Sequence, residues 1–209
     1  MTRQNIFSFN FKESNKTNNF YTNATNINAY ENLLFKNLNN VILIGPNKSG
    51  KSHLAYIWSM KFSSITYRND LNDVLNYKNN VLIEDIHLNI NEEKIFHIIN
   101  HCNLYNLKLL LTSNCNLIDI KIKLSDLHSR LKVFHELKIN KPNDDMLINI
   151  LLKLLHEKQF IINSDEIFKY IVNRIDRSYE SMINIVEKLD SLSLEKKRQL
   201  TIPLIKEIL

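Results

Sequence analysis

The chain has 209 residues, room for one domain plus a small appendage and too little for a multidomain machine. Hydrophobic residues make up 44% and charged residues 23%, which excludes global disorder and allows a proper core. Lys+Arg 27 against Asp+Glu 22 gives +5 and a pI near 9.1, a balance that permits contact with nucleic acid without demanding it. Glycine is the anomaly: the chain has 2, where average usage would give about fifteen. Both, Gly45 and Gly50, lie in one short stretch. Elsewhere turns and caps are expected to fall to asparagine, which tolerates left-handed backbone better than other side chains. Cys102 and Cys115 carry no CxxC spacing and read as reduced thiols of a cytoplasmic protein. No run approaches eighteen apolar residues, so no membrane partner is expected.

In chain order, residues 1–19 are polar around one alternating patch, Ile6, Phe7, Phe9 and Phe11, and read as a mobile tail. From Val41 onward VILIG, SSITY, NVLIED, LKLLLTSN and VFHELKI form short apolar runs separated by helix-length segments. Continuous rather than alternating runs imply strands covered on both faces, so residues 20–140 are expected to form an α/β sandwich around a parallel sheet. Lys141-Pro142 breaks the pattern, and Asn143-Asp144-Asp145 offers helix caps. Met146, Ile150, Leu154 and Leu155 then recur at helical spacing. A second helix starts at Ser164-Asp165-Glu166, and a third covers Asp176 to Asp190. Residues 141–209 therefore read as a small all-helical subdomain. No internal repeat is present.

Gly45-Pro46-Asn47-Lys48-Ser49-Gly50-Lys51-Ser52 fits GxxxxGK[ST], after the apolar run Val41 to Ile44 and before the helix-compatible segment that opens with His53. That strand, loop and helix context is what the phosphate-binding motif requires. Glycines let backbone N–H groups and a helix N-terminus converge on an anion. Lys51 can reach the β- and γ-phosphates of ATP or the β-phosphate of ADP, and Ser52 can bind Mg²⁺. Glu84 and Asp85 end the NVLIED run, placed for one carboxylate (Glu84) to hold Mg²⁺ and its neighbour (Asp85) to orient water. His97 and His101, with Cys102 beside them, do not follow a zinc-protease pattern, and the two histidines read as partly buried helix residues. Tyr105, Tyr170, Tyr179 and Trp58 form no basic–aromatic stripe.

GPNKSGKSHLA, VLIEDIH, Phe96-His97-Ile98-Ile99-Asn100, LLLTSN and LSDLHSRL, in this order, resemble the AAA+ module of the bacterial replication initiator family DnaA. Among its short relatives the chain is most similar to the Hda/HdaA group of DnaA regulatory inactivators, down to the C-terminal LEKKRQLTIPLIKEIL. The resemblance implies an AAA+ P-loop three-layer sandwich followed by a helical lid. It also implies roles for single residues. Asn26 and Ala29 match the segment that closes over the nucleotide base, and His53 joins the loop residues at the nucleotide. Ser113 or Asn114 occupies the sensor-one position, Arg130 matches the arginine finger, and Arg177 matches the sensor-two arginine, with Arg174 as its neighbour. Gln4-Asn5-Ile6-Phe7-Ser8-Phe9 resembles the glutamine-led peptide, here Gln4, Phe7 and Phe9, that binds the DNA polymerase III sliding clamp. The helix-turn-helix domain of the initiators is not found after the lid.

The implied function is an adaptor that promotes hydrolysis of DnaA-bound ATP and negatively regulates replication initiation, meeting DNA through the clamp. Its own ATPase would be weak. Two other readings stay open: an oligomeric ATPase motor or helicase loader, and an initiator-like DNA-binding protein.

Overall fold

The computed structural model describes residues 20, 22, 24–88, 91–162, 164 and 166–209. The expected tail, with Gln4, Phe7 and Phe9, lies outside the described residues, as does Asp165. Five strands form one parallel sheet in the order β2-β3-β4-β1-β5: β1 (Asn40–Ile44), β2 (Ile65–Thr66), β3 (Val81–Ile83), β4 (Leu109–Ser113) and β5 (His135–Lys138). The three inner strands are buried along almost their whole length, as their continuous apolar runs require. The outer strands depart from that expectation. β2 has only two residues, and in β5 Leu137 is buried while His135, Glu136 and Lys138 are exposed, because an edge strand has one neighbour and blunts its free side with charge.

Alternation along the strands divides the core. Ile42, Ile44, Val81, Ile83, Leu109 and Leu111 face one side, where they meet α3 (Asn72–Leu75), α4 (Glu92–Leu104) and α5 (Ser125–Leu131). Val41, Leu43, Leu82, Leu110 and Leu137 face the other, against α1 (Ile27–Phe35) and α2 (Lys51–Phe62). Three layers result, with α2 following β1, the strand between β4 and β5. A third core joins α6 (Asp144–Glu157), α7 (Glu166–Val172), α8 (Tyr179–Lys196) and α9 (Ile202–Lys206). In α6 the fully buried face is Met146, Leu147, Leu151 and Leu155; Ile150 and Leu154 are only half-buried. Two apolar faces overlap on this helix, and the packing of α7 and α8 selects one. No described helix is long and apolar enough to cross a membrane.

Asparagine carries less left-handed backbone than expected. Among the described non-glycine residues with positive φ, Asn69 and Asn106 are joined by Lys48, Ser63, Asp85, Gln159 and Lys197. Ser63 and Lys197 close α2 and α8 in the conformation glycine usually takes. Asparagine instead works through its side chain. Asn39 and Asn40 donate to Asn106 and Asn103 at 2.8 and 2.9 Å, and Asn80 joins the Phe62 carbonyl to the Lys108 amide.

Two side chains fix segments that matter to the site. Asn143 accepts a hydrogen bond from the Met146 amide at 3.0 Å and so caps α6, as its sequence context suggested. Asn143→Ala is expected to cost about 1 kcal/mol of stability, measured by urea denaturation. Glu92, in the first turn of α4, accepts from the amides of Lys123 (3.0 Å) and Leu124 (2.6 Å), pinning the entry to α5. These bonds hold its carboxyl below the usual glutamate range. A depressed carboxyl pKa contributes stability above the unfolded value and loses it as pH falls through the folded one. Wild type should therefore exceed Glu92→Gln in stability at neutral pH, with the gap closing under acid as Glu92 protonates; a pH-independent gap would exclude the charge as its cause.

Candidate functional site

β1 delivers the Gly45–Ser52 loop to the carboxyl end of the sheet, and the loop runs straight into α2, whose first residue is Lys51. The two glycines have separate reasons. At Gly45 a Cβ would meet Ser49 Oγ at 2.9 Å and Ile139 Cβ at 3.0 Å, so close packing excludes a side chain. Gly50 has φ +89° and its Cα faces the Phe20 ring, 3.1 Å from where a Cβ would stand. The Gly45 amide donates to the Ser113 carbonyl at 3.1 Å, tying the loop to β4.

Lys51 is buried and folds back into the loop, donating to the carbonyls of Gly45 and Pro46, each at 2.8 Å. Burial lowers its pKa while the charge of Asp85 pulls the other way. Ser49 is buried too, and its Oγ has no hydrogen-bond partner among the described residues. Ser52 and His53, by contrast, are exposed on the first turn of α2. A buried ammonium, an orphaned hydroxyl and the open amides of a helix start form a donor set suited to an anion such as phosphate. His53 lies edge-on to Phe20 at 5.8 Å, and burial followed by the charge of Lys153 lowers its pKa.

β4 lies between β1 and β3. Glu84 and Asp85 are exposed just past the end of β3. Asp85 takes φ +50°, unusual for a residue with a side chain, and its amide donates to Thr112 Oγ1 at 2.9 Å. Asp85 is the member of the pair whose charge Lys51 feels. Asn114, beyond β4, donates to Asn47 Oδ1 at 3.2 Å, so the end of β4 touches the loop through a side chain. Its neighbour Ser113 is fully buried and turns its hydroxyl to the Cys115 carbonyl at 2.7 Å.

Arg130 occupies the last turn of α5, which Leu127 and Leu131 anchor in the core. Its guanidinium lies over the Phe96 ring, 5.1 Å from the centroid. Asn26 is buried at the start of α1, beside buried Ala29. Arg177 pairs with Asp144 at the start of α6 at 3.0 Å, well exposed, and Arg174 stacks on Tyr170 at 3.7 Å. The loop instead receives Asn184 of α8, whose Oδ1 accepts from Lys48 Nζ at 2.9 Å. Tyr179 of the same helix is buried. Its hydroxyl lies within 3.5 Å of Thr25 Oγ1 and the Asn140 carbonyl and within 3.4 Å of Met146 Sδ. Neither residue carried a signal in the sequence, because each acts through a tertiary contact.

His97 is exposed rather than partly buried, and His101 donates from Nε2 to the Tyr77 carbonyl at 3.1 Å. Burial pushes the Cys102 thiol up to about 12. No cluster of metal-ligating side chains occurs among the described residues.

Residues 144–209 match the family of the Hda lid domain. DnaA of Buchnera aphidicola subsp. Cinara cedri is 28% identical over 99% of this chain and 56% of its own length. An uncharacterised Haemophilus influenzae protein is 31% identical over 48% of this chain and 43% of its own. The chain thus spans about half the length of the relatives it matches. Among solved structures, domain III of Thermotoga maritima DnaA superposes with a TM-score of 0.77 at 16% identity, covering 92% of this chain and 94% of that one. AMPPCP-bound DnaA from Aquifex aeolicus gives 0.67 at 18% identity, over 87% and 67%. The likeness at this identity is one of fold, and it joins the lid match and the full-length relative. Together the lid match, the DnaA relative and the fold support an Hda/DnaA-like AAA+ protein.

Proposed function

We propose that this chain is an adaptor in the control of DNA replication initiation: it binds an adenine nucleotide in the Gly45–Ser52 loop, attaches to the sliding clamp through Gln4, Phe7 and Phe9, and promotes hydrolysis of ATP held by DnaA. One observation carries the reading. A complete phosphate loop and an Hda-type lid meet in one chain, with Lys48 of the loop bonded to Asn184 of α8. A chain of phosphates would take the Lys51 ammonium in place of the Gly45 and Pro46 carbonyls, and the Ser49 hydroxyl would gain the partner it lacks. Ser52 and Glu84 are the residues proposed to hold Mg²⁺, which would neutralise phosphate charge, while Asp85 orients water. Asn26 and His53 border the base, Asn114 reaches the loop through Asn47, and Arg177 is the lid arginine. Residues 20–140 serve as the nucleotide-binding core and 141–209 as the lid. Two DnaA structures among those compared hold AMPPCP, which supports adenine nucleotide as the ligand class.

Arg130 is the residue proposed to act in trans. Arg130 is half-buried with its guanidinium over Phe96, on a helix anchored in the core, a placement compatible with reaching nucleotide on a neighbouring molecule. An arginine supplied this way stabilises charge that develops in the transition state, an effect worth roughly 10³–10⁵ in rate in GTPases.

Lys51→Ala should abolish ADP and ATP binding in calorimetry while the fold persists, since neutral amides without the ammonium lose the main charge facing the phosphates. Normal affinity would remove the loop from the reading. Arg130→Ala should fold and bind nucleotide, yet no longer accelerate ATP hydrolysis by DnaA on clamp-loaded DNA. Lysine at that position should rescue little, because it lacks the planar fork. Full stimulation by the alanine variant would end the adaptor mechanism. A loss of this protein's own turnover without DnaA would favour the motor.

A further inference from the structure

α1 and α2 leave a bare aromatic face where the described chain begins. Phe35 is 70% exposed, Tyr56 57% and Met60 65%, and ring contacts through Tyr30 join Phe35 to Phe20, the first described residue. Phe20 stacks on Tyr30 with centroids 5.6 Å apart and planes at 6°, Tyr30 meets Phe35 edge-on at 6.1 Å, and Phe20 meets His53 at 5.8 Å. His53, Tyr56 and Met60 share one exposed side of α2 at spacings of three and four. Lys61 Nζ, 4.4 Å from the Phe35 ring centroid, borders the face. Exposed aromatic and methionine side chains grouped in this way mark an interaction surface.

The sequence upstream of Phe20 supplies a fitting occupant. Residues 12–19, Lys-Glu-Ser-Asn-Lys-Thr-Asn-Asn, form a polar spacer, and before them come Ile6, Phe7, Phe9 and Phe11. The alternation of Phe7, Phe9 and Phe11 lets an extended segment present three rings on one side. Nine residue steps separate Phe11 from Phe20, a reach of up to about 30 Å. The stretch of α2 from His53 to Met60 is only about 10 Å long. A short tether of this kind gives a local concentration on the order of millimolar, so a weak contact is well populated.

We propose that the Ile6–Phe11 stretch docks in cis on the face made by Phe35, Tyr56 and Met60, with Phe20 as the start of the contact. The tail's rings are then shared: docked on α2 they are withheld from any other protein that takes the same peptide. The proposed contact uses none of the loop's donors, although its Phe20 and His53 edge adjoins the loop at Gly50.

The test is photo-crosslinking in the full chain with Phe9 replaced by p-benzoylphenylalanine. A mixture of isotopically light and heavy protein separates crosslinks within a chain from those between chains. The expected product is an intrachain crosslink to residues 53–60 or to Phe35. Phe35→Ser with Tyr56→Asp, exposed changes that leave Met60 in place as a target, should reduce its yield about tenfold if the contact is tether-assisted and weak. Crosslinks between chains, crosslinks elsewhere, or none would overturn the proposal. A second readout is alkylation of Met60→Cys, resolved from Cys102 and Cys115 by peptide mass. Adding Phe7→Ser, Phe9→Ser and Phe11→Ser should speed it severalfold, and an unchanged rate would overturn the proposal equally.

Discussion

β1 pairs with β4 on one side and β5 on the other and is buried on both faces, so it cannot shift without disturbing the whole sheet. The phosphate loop inherits that rigidity. Its first residue, Gly45, is bonded to Ser113, the last residue of β4, and packed on Ile139, the residue after β5. A loop that must present amides in fixed directions needs such a base, because backbone dipoles act on an anion only when they are already aimed at it. The buried ammonium of Lys51 completes the arrangement by bonding the loop's own carbonyls, which keeps a charge inside the site without leaving it unpaired.

The helical unit is coupled to this base at two points of different chemistry. At the root, the hydroxyls of Thr25 and Tyr179 and the sulfur of Met146 gather around the exit of β5, and the Asn140 amide donates to the Thr25 carbonyl. At the tip, Lys48 reaches Asn184 across solvent-exposed ground. The first contact is buried and sets where α6 and α8 stand; the second is exposed, and exposed polar bonds of long side chains hold weakly. The helical unit is thus held more firmly at its root than at its tip.

The scarcity of glycine has a structural cost that other residues absorb. Left-handed backbone at Ser63, Asp85 and Lys197 carries side chains where glycine would be unstrained. At Asp85 the conformation is held by the Thr112 hydroxyl, and it turns the chain at the end of β3 beside the loop. Elsewhere asparagines join neighbouring elements below the sheet, where short amide side chains bond directly to one another.

Much of this protein was legible before folding. Continuous apolar runs gave the covered strands and their parallel sense, because a strand buried on both faces has no polar side to show. The concentration of both glycines in GPNKSGKS marked the loop, where close packing at Gly45 and a positive φ at Gly50 each disfavour a side chain. Asn143 announced the start of α6 by its local capping chemistry. What the sequence could not carry depended on partners distant along the chain. The buried side of α6 was ambiguous between two overlapping apolar faces until α7 and α8 packed on one. The edge positions of β2 and β5 follow from strand order, which no local run encodes. Lys48 with Asn184, Tyr179 with Thr25, and Arg130 with Phe96 are contacts between residues far apart in sequence. Such pairs have no periodicity to read, and only the closing of the tertiary structure brings them within reach.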